Sequence, residues 1–281
     1  MFFPAESYLV TAVHGFVRYG STRGNAAEHI GNAYLQKLDI QDFFESVTNE
    51  RVRKSLEELG LGRAAAQLIA DLTTCQGRLP LGAPSSPLMS NLVLRQFDID
   101  VLNLLESRGI TYTRYADDLA FSGPEEFDVK DEIATLLRTR GLALNLTKCK
   151  KFKLGQPMFV TGLSVSNESH PRLRGRFKKM LRTSLYYVEK HGVQGHSEYL
   201  HEKTTRSASK LAGRLRFASS VEPLWANKMK ALYPNAFEEL LPSQPADKMA
   251  RLHERRAEFY ARVRSRGEPT PPMYAPSVSL F

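Results

Sequence analysis

Ile110–Ser122 reads ITYTRYADDLAFS, and the reading of this stretch decides the fold. β-Branched and aromatic residues alternate with small or polar ones at both ends, the period of a strand whose side chains point to two faces in turn. Between the arms stand Ala116, Asp117 and Asp118, and aspartate tolerates tight turns. A hairpin is predicted here, with the aspartate pair at its turn. Working outward, Ala33–Ile40 (AYLQKLDI) is predicted as a second buried strand that ends on Asp39. A strand end beside a hairpin turn in one sheet would bring three carboxylates together. Two adjacent aspartates embedded in apolar strand sequence repel one another unless a cation sits between them. Taken alone, the pair reads as an ordinary surface turn.

The flanking sequence supplies helices and loops. Asn49–Leu59 (NERVRKSLEEL) has helical apolar spacing at Val52, Leu56 and Leu59, and Gly60 supplies a stop. Ala64–Leu72 is predicted as a second helix. Gly77–Pro87 (GRLPLGAPSSP) is loop, rich in Gly, Pro and Ser, and a helix over Ser90–Leu105 follows it. Glu126–Arg140 reads as an amphipathic helix with Gly141 at its C-cap, and Phe159–Val165 as a strand. After Asn167 the chain becomes basic, with helices predicted over Arg172–His191 and Thr204–Ser219. From Arg266 the tail (GEPTPPMYAPSVSLF) is proline-rich and reads as an extended arm. Three regions are therefore expected, at 1–167, 168–265 and 266–281.

Composition narrows the class. The 281 residues are 42% hydrophobic and 25% charged, ordinary for a globular chain. No apolar run has the length of a membrane span and no leader pattern opens the chain, so a cytoplasmic protein that does not engage a membrane is expected. Two cysteines, Cys75 and Cys149, cannot make a disulfide framework or a four-thiolate zinc site. The net charge of +9 is unevenly spread. Residues 1–150 carry 16 Lys/Arg against 19 Asp/Glu, and residues 151–281 carry 23 against 11. A carboxylate-rich half followed by a basic one suggests a site joined to a lobe that holds a polyanion, although many basic faces are merely solvated.

The surroundings of the aspartates then carry a resemblance. Tyr115-Ala116-Asp117-Asp118 resembles the YADD box in the palm of reverse transcriptases. LDIQDFF at Leu38–Phe44 resembles the family's first palm motif. LPLGAPSSP at Leu79–Pro87 resembles the loop against template and incoming nucleotide. GLALNLTKCK at Gly141–Lys150 and VTGL at Val160–Leu163 resemble the two motifs that follow. Within the family, Asn25-Ala26 with His29 resembles the NAxxH signature of bacterial retron enzymes, and Val160-Thr161-Gly162 their VTG signature. KLAGRLRFASSVEP at Lys210–Pro223 resembles the helical segment that ends their thumb.

The resemblance implies an α+β right-hand polymerase with an antiparallel palm, reduced fingers and a helical thumb. It implies two Mg2+ ions held by Asp39, Asp117 and Asp118, with the Ile40 carbonyl as a further oxygen. Magnesium prefers hard oxygen donors, and two such ions suit nucleotidyl transfer. It implies that Phe44 lies under the sugar of an incoming deoxynucleoside triphosphate and excludes a 2′-hydroxyl. Gly82, Ala83 and Pro84 would line the nucleotide, although Leu81 stands where relatives carry Gln. Lys148 would neutralise or protonate the leaving pyrophosphate, a lone lysine being otherwise a solvated side chain. Asp42 is expected to cap the next segment, and His29 to hold a loop. Arg172, Arg174, Arg176, Lys178, Lys179 and Arg182, followed by Tyr186 and Tyr187, have the composition of an RNA grip.

Retron enzymes make a small single-stranded DNA from a structured non-coding RNA, priming from an internal 2′-hydroxyl, and many act with an effector protein against phage. The resemblance carries these as expected partners. Only 38 residues precede Asp39, without the basic motif that clamps a triphosphate. The fingers are expected to be short, the chain to begin inside a longer one, or a second polypeptide to complete them. Two other readings stay open: another bacterial reverse transcriptase, and a non-catalytic scaffold that holds nucleic acid and restrains a toxic partner.

Overall fold

The Asp39 strand and the YADD hairpin lie side by side in one antiparallel sheet in the computed structural model, which describes residues 11–242 other than 19, 167, 168 and 202. The chain runs through α1 (Thr22–Ala27), β1 (Tyr34–Asp39), α2 (Phe43–Ser46), α3 (Asn49–Glu58), α4 (Arg63–Thr73) and α5 (Ser86–Leu105). Then come β2 (Thr111–Tyr115), β3 (Asp118–Gly123), α6 (Lys130–Arg138), β4 (Lys150–Lys153), β5 (Phe159–Val160) and β6 (Leu163–Ser164). Helices α7 (Gly175–Tyr199), α8 (Thr204–Val221), α9 (Pro223–Leu232) and α10 (Pro234–Leu240) follow. Two compact units meet in sequence at Arg172 and Leu173. No helix among the described residues is long and apolar enough to cross a membrane.

In the first unit the strand order is β2-β3-β1-β4, so β1 is interior. Leu38 pairs with Leu119 and Asp39 with Asp118. Side chains alternate across a strand, so Leu38, Ile40, Leu119, Phe121 and Tyr112 share one face. They bury against Leu94, Phe97, Val101 and Leu105 of α5 and Ile133 and Leu137 of α6. Each such side chain contributes about 1.5–3 kcal/mol on leaving water. Asp39 and Asp118 fall on the opposite face. There α1 packs against β2 and the β5–β6 hairpin, and the Thr161 hydroxyl donates to the Thr22 carbonyl at 2.8 Å. That bond joins the segment bearing Asn25 and His29 to the VTG turn.

Several boundaries differ from the sequence reading. Helix α5 starts at Ser86, not Ser90: Pro87 suits a first helical turn, and the Ser86 hydroxyl donates to the Pro80 carbonyl at 2.7 Å. Helix α6 starts at Lys130, not Glu126, because the Asp128 carboxylate accepts the Lys130 amide and the Gln36 side chain takes the Val129 amide. Its other end closes as expected. Gly141 is left-handed at φ 65°, with Gly141 N–H donating to Arg138 and Leu142 N–H to Leu137.

Phe159–Val165 is a hairpin rather than one strand, since Thr161 and Gly162 take φ of 45° and 82° at its turn. Helix α7 begins at Gly175 instead of Arg172, whose backbone exchanges hydrogen bonds with Ser164. It is broken at Gly192 (φ 67°, ψ 173°), and the Glu239 carboxylate accepts the Val193 amide just beyond. The tail from 266, and the basic segment before it from 248, lie outside the described residues.

The second unit is helical. Helices α8 and α10 both pack on α7, and α9 on α8. Leu181, Leu185, Val188, Leu211, Leu215, Ala218 and Phe237 are buried.

Candidate active site

Two carboxylates face each other at one end of the sheet, and a third stands in the adjoining turn. Asp39 ends β1 opposite Asp118 at the start of β3, and the Ile40 amide donates to the Asp117 carbonyl at 3.0 Å. The Asn145 amide donates to the Asp39 carbonyl at 2.8 Å, which brings the Gly141–Lys150 segment to the same edge. Two residues, Ala116 and Asp117, form the turn. Ala116 has φ 59°, a conformation that glycine adopts readily and that costs alanine about 1–2 kcal/mol. Surrounding contacts hold it there. Arg114 Nη1 donates to the Ala116 carbonyl at 3.3 Å, and a Cβ on Gly15 would stand 2.5 Å from the Ala116 nitrogen.

The electrostatics call for cations. Burial pushes the Asp117 carboxyl above the usual range, and Asp39 adds to the shift. Burial also raises Asp118, with Asp117 and Asp39 adding and Lys37 opposing. Lys37 Nζ lies 2.8 Å from Asp118, and Lys148 Nζ lies 2.9 Å from Asp39. The hydrogen bond to Asp39 raises the Lys148 pKa. Asp39 Oδ1 is buried without a hydrogen bond of good geometry despite that ion pair. An orphaned carboxylate oxygen beside two further carboxylates is a donor set that fits a hard divalent ion. Asp39 and Asp118 pair with the two lysines instead, and among the described residues no three ligating groups already converge into a metal cage.

Beneath the turn lies a buried polar network. Arg114 and Tyr112 alternate toward α5, where the Arg114 guanidinium meets Asp98 at 2.8 and 2.6 Å and the Asn91 amide oxygen at 2.9 Å. The Tyr112 hydroxyl donates to Asp98 at 2.7 Å. Both charged side chains are fully buried. The Asn91 amide also donates to the Gly15 carbonyl at 2.9 Å, which ties residues 12–16 to the turn.

Of the flanking rings, Phe43 is buried in the core and Phe44 is half-buried, with centroids 5.0 Å apart. Asp42 is left-handed at φ 44° ahead of α2, and its side chain makes no capping bond, contrary to expectation. Gly82 is left-handed at φ 85° with open space around it, Ala83 accepts the Ser86 amide, and Leu81 is 72% exposed. No hydrogen bond joins Gly82, Ala83 or Pro84 to the aspartates among the described residues.

Comparison with known proteins gives the family. Residues 3–193 match the family model described as reverse transcriptase (RNA-dependent DNA polymerase). The chain belongs to the reverse transcriptase family. It is 34% identical over 235 residues to the Retron Mx65 reverse transcriptase of Myxococcus xanthus, covering 72% of this chain and 53% of that one. It is 32% identical over 177 residues to the Retron Ec86 reverse transcriptase of Escherichia coli, covering 62% and 55%. The Retron Ec73 reverse transcriptase of the same organism is 30% identical over 247 residues, covering 79% and 73%. The chain is thus of the retron type, and it spans about half the length of the first two relatives.

In this member of the family the basic cluster is less uniform than its sequence. Arg176, Lys179 and Arg182 are exposed on α7, and Arg172 is exposed in the first unit. Lys178 is paired with Glu222, 2.8 Å away, whose other oxygen accepts the Leu173 amide. Six cations without a neighbouring acid in sequence therefore include one held by an acid 44 residues on. Tyr187 stacks on Tyr199 at 5.5 Å, a partner the sequence did not suggest.

His29, expected to hold a loop, is buried after α1 and ties that segment to strands β2 and β3. Its ring nitrogens each lie 2.7 Å from a hydroxyl, Nδ1 from Ser122 and Nε2 from Thr113. Burial, with His14 and Lys37 nearby, pushes it down to about 3. The unfolded imidazole titrates near 6.5, so the unfolded chain binds more protons between these values. The stability His29 contributes is complete above about pH 6.5 and is lost as pH falls toward 3. At pH 5 the loss is about 2 kcal/mol. Urea titrations at pH 7 and pH 5 should show it, and His29→Gln should be less pH-sensitive. Equal pH dependence in the two proteins would remove His29 from the account.

Proposed function

We propose that the chain is an RNA-directed DNA polymerase that copies a structured non-coding RNA into a small single-stranded DNA. The observation that supports this reading is the pairing of Asp39 with Asp118 across β1 and β3, with Asp117 in the adjoining turn. They would hold two Mg2+ ions, with the Ile40 carbonyl beside them. When bound, such ions supply activation of a primer hydroxyl and charge neutralisation at the departing pyrophosphate. Lys148 keeps its proton on Nζ beside Asp39, and would neutralise the same phosphates. Phe44 lies under the sugar of the incoming deoxynucleotide, and Gly82, Ala83 and Pro84 line its base and template. The exposed cations Arg176, Lys179 and Arg182, with Arg172 and Arg174, grip RNA phosphates. The DNA product and an effector protein would complete a phage-defence complex.

The test is to express the gene with its flanking DNA and recover bound nucleic acid, then assay the purified protein on a primed RNA with deoxynucleotides. A short DNA that loses mass on ribonuclease treatment, and incorporation that stops with a chelator, are expected. Retained RNA without any incorporation would leave a scaffold.

A second measurement addresses the grip. Replacing Arg176, Lys179 and Arg182 by Ala, with Lys178 left to its structural pair, should weaken cognate RNA binding. The slope of log affinity against log salt should flatten by about 2 to 3, at roughly 0.7–0.9 per phosphate contact. An unchanged slope would turn this helix face toward solvent or a protein partner.

A further inference from the structure

Phe16 combines two features that packing alone does not reward. It is a large apolar side chain, 47% exposed, and its backbone lies at φ 60°, a region that disfavours any residue with a Cβ. Its ring centroid lies 6.2 Å from Phe44 and 6.4 Å from Tyr115. A ring that merely filled core would be buried as Phe43 is.

The backbone that presents this ring is tied to the catalytic turn at several points. The Arg114 amide donates to the Ala12 carbonyl and the His14 amide to the Arg114 carbonyl, each at 2.9 Å. Asn91 holds the Gly15 carbonyl, and Gly15 lies so close to Tyr115 and Ala116 that no side chain fits there. These contacts fix the backbone beside the YADD turn, from which the Phe16 ring projects toward Tyr115 and Phe44.

We propose that Phe16 is a positioning residue for sugar selection. It braces the Phe44 ring so that this ring keeps its place against the 2′ position of an incoming nucleoside triphosphate. The inference rests on reading Phe44 as the group that excludes the 2′-hydroxyl, and the experiment separates the two.

Single-nucleotide insertion on a primed RNA is measured with matched ribo- and deoxynucleotides for wild type, Phe44→Ala, Phe16→Ala, Phe16→Leu and the double alanine variant. Phe44→Ala should lower sugar discrimination most. Phe16→Ala should lower it roughly three- to tenfold, the scale of one lost aromatic pair, mainly by a lower KM for the ribonucleotide. The kcat for the deoxynucleotide should stay within about threefold of wild type, since Phe16 touches none of the reacting atoms. Phe16→Leu keeps apolar bulk, guards against a folding failure, and should fall between. The double variant should match Phe44→Ala, because Phe16 acts only through that ring.

If Phe44→Ala shifts discrimination while Phe16→Ala and Phe16→Leu do not, the inference fails and the reading of Phe44 stands. If Phe16→Ala slows both sugars equally, Phe16 only supports the turn, and the inference fails. If Phe44→Ala retains activity with unchanged discrimination, both fail together.

Discussion

Asp117→Asn protein is expected to fold, bind RNA and make no DNA. The substitution keeps the shape of the side chain and removes one charge from the cluster that would hold the metals. Metal stabilisation of transferring phosphates amounts to several kcal/mol, so the rate should fall by about a thousandfold or more. Folding should not suffer. Burial and Asp39 already disfavour the charged form of Asp117, so a neutral side chain relieves repulsion in the folded state. The thermal midpoint should therefore hold or rise slightly, which separates lost chemistry from lost structure. Primer extension near the wild-type rate would overturn the assignment of Asp117.

Arg114→Met should be the most destabilising single change in the first unit. It leaves Asp98 buried with only the Tyr112 hydroxyl for company, and breaking a buried pair in this way costs about 3–5 kcal/mol. Combining it with Asp98→Leu should restore much of the stability, because an apolar pair of similar volume carries no stranded charge. The double variant should still synthesise DNA slowly, since the Ala116 carbonyl has lost its donor and the strained turn its support. Urea unfolding of the single and double variants, read beside primer extension, tests this. A single variant within about 1 kcal/mol of wild type would show that the network does not carry the fold.

What could be read from sequence was what local pattern encodes. Alternation over ITYTRYADDLAFS placed a turn at the aspartates, and a strand ending on Asp39 supplied the third carboxylate. The YADD, NAxxH and VTG stretches then pointed to the family. What could not be read depends on register between distant segments. Lys37 meets Asp118 across 81 residues, and Lys178 meets Glu222 across 44. Neither pairing has a local signature. Arg114 did leave a trace: it shares strand parity with Tyr112 and so faces the core, where a cation requires an anion, and Asp98 stands in an apolar helix. The break at Thr161–Gly162 was hidden because apolar spacing continues through it while the backbone does not, whereas the helix end read at His191 coincides with the break at Gly192.

The interior position of β1 also bears on how the chain is made. This strand leaves the ribosome before both of its neighbours, which begin at Asp118 and Lys150. At ordinary elongation rates the wait is on the order of ten seconds. During that time Leu35, Leu38 and Ile40 have no sheet to enter, and pairing over such sequence separations is intrinsically slow. The nascent catalytic unit is thus an aggregation-exposed intermediate until Lys153 has emerged, and its yield should depend on how well chaperones cover one early hydrophobic strand.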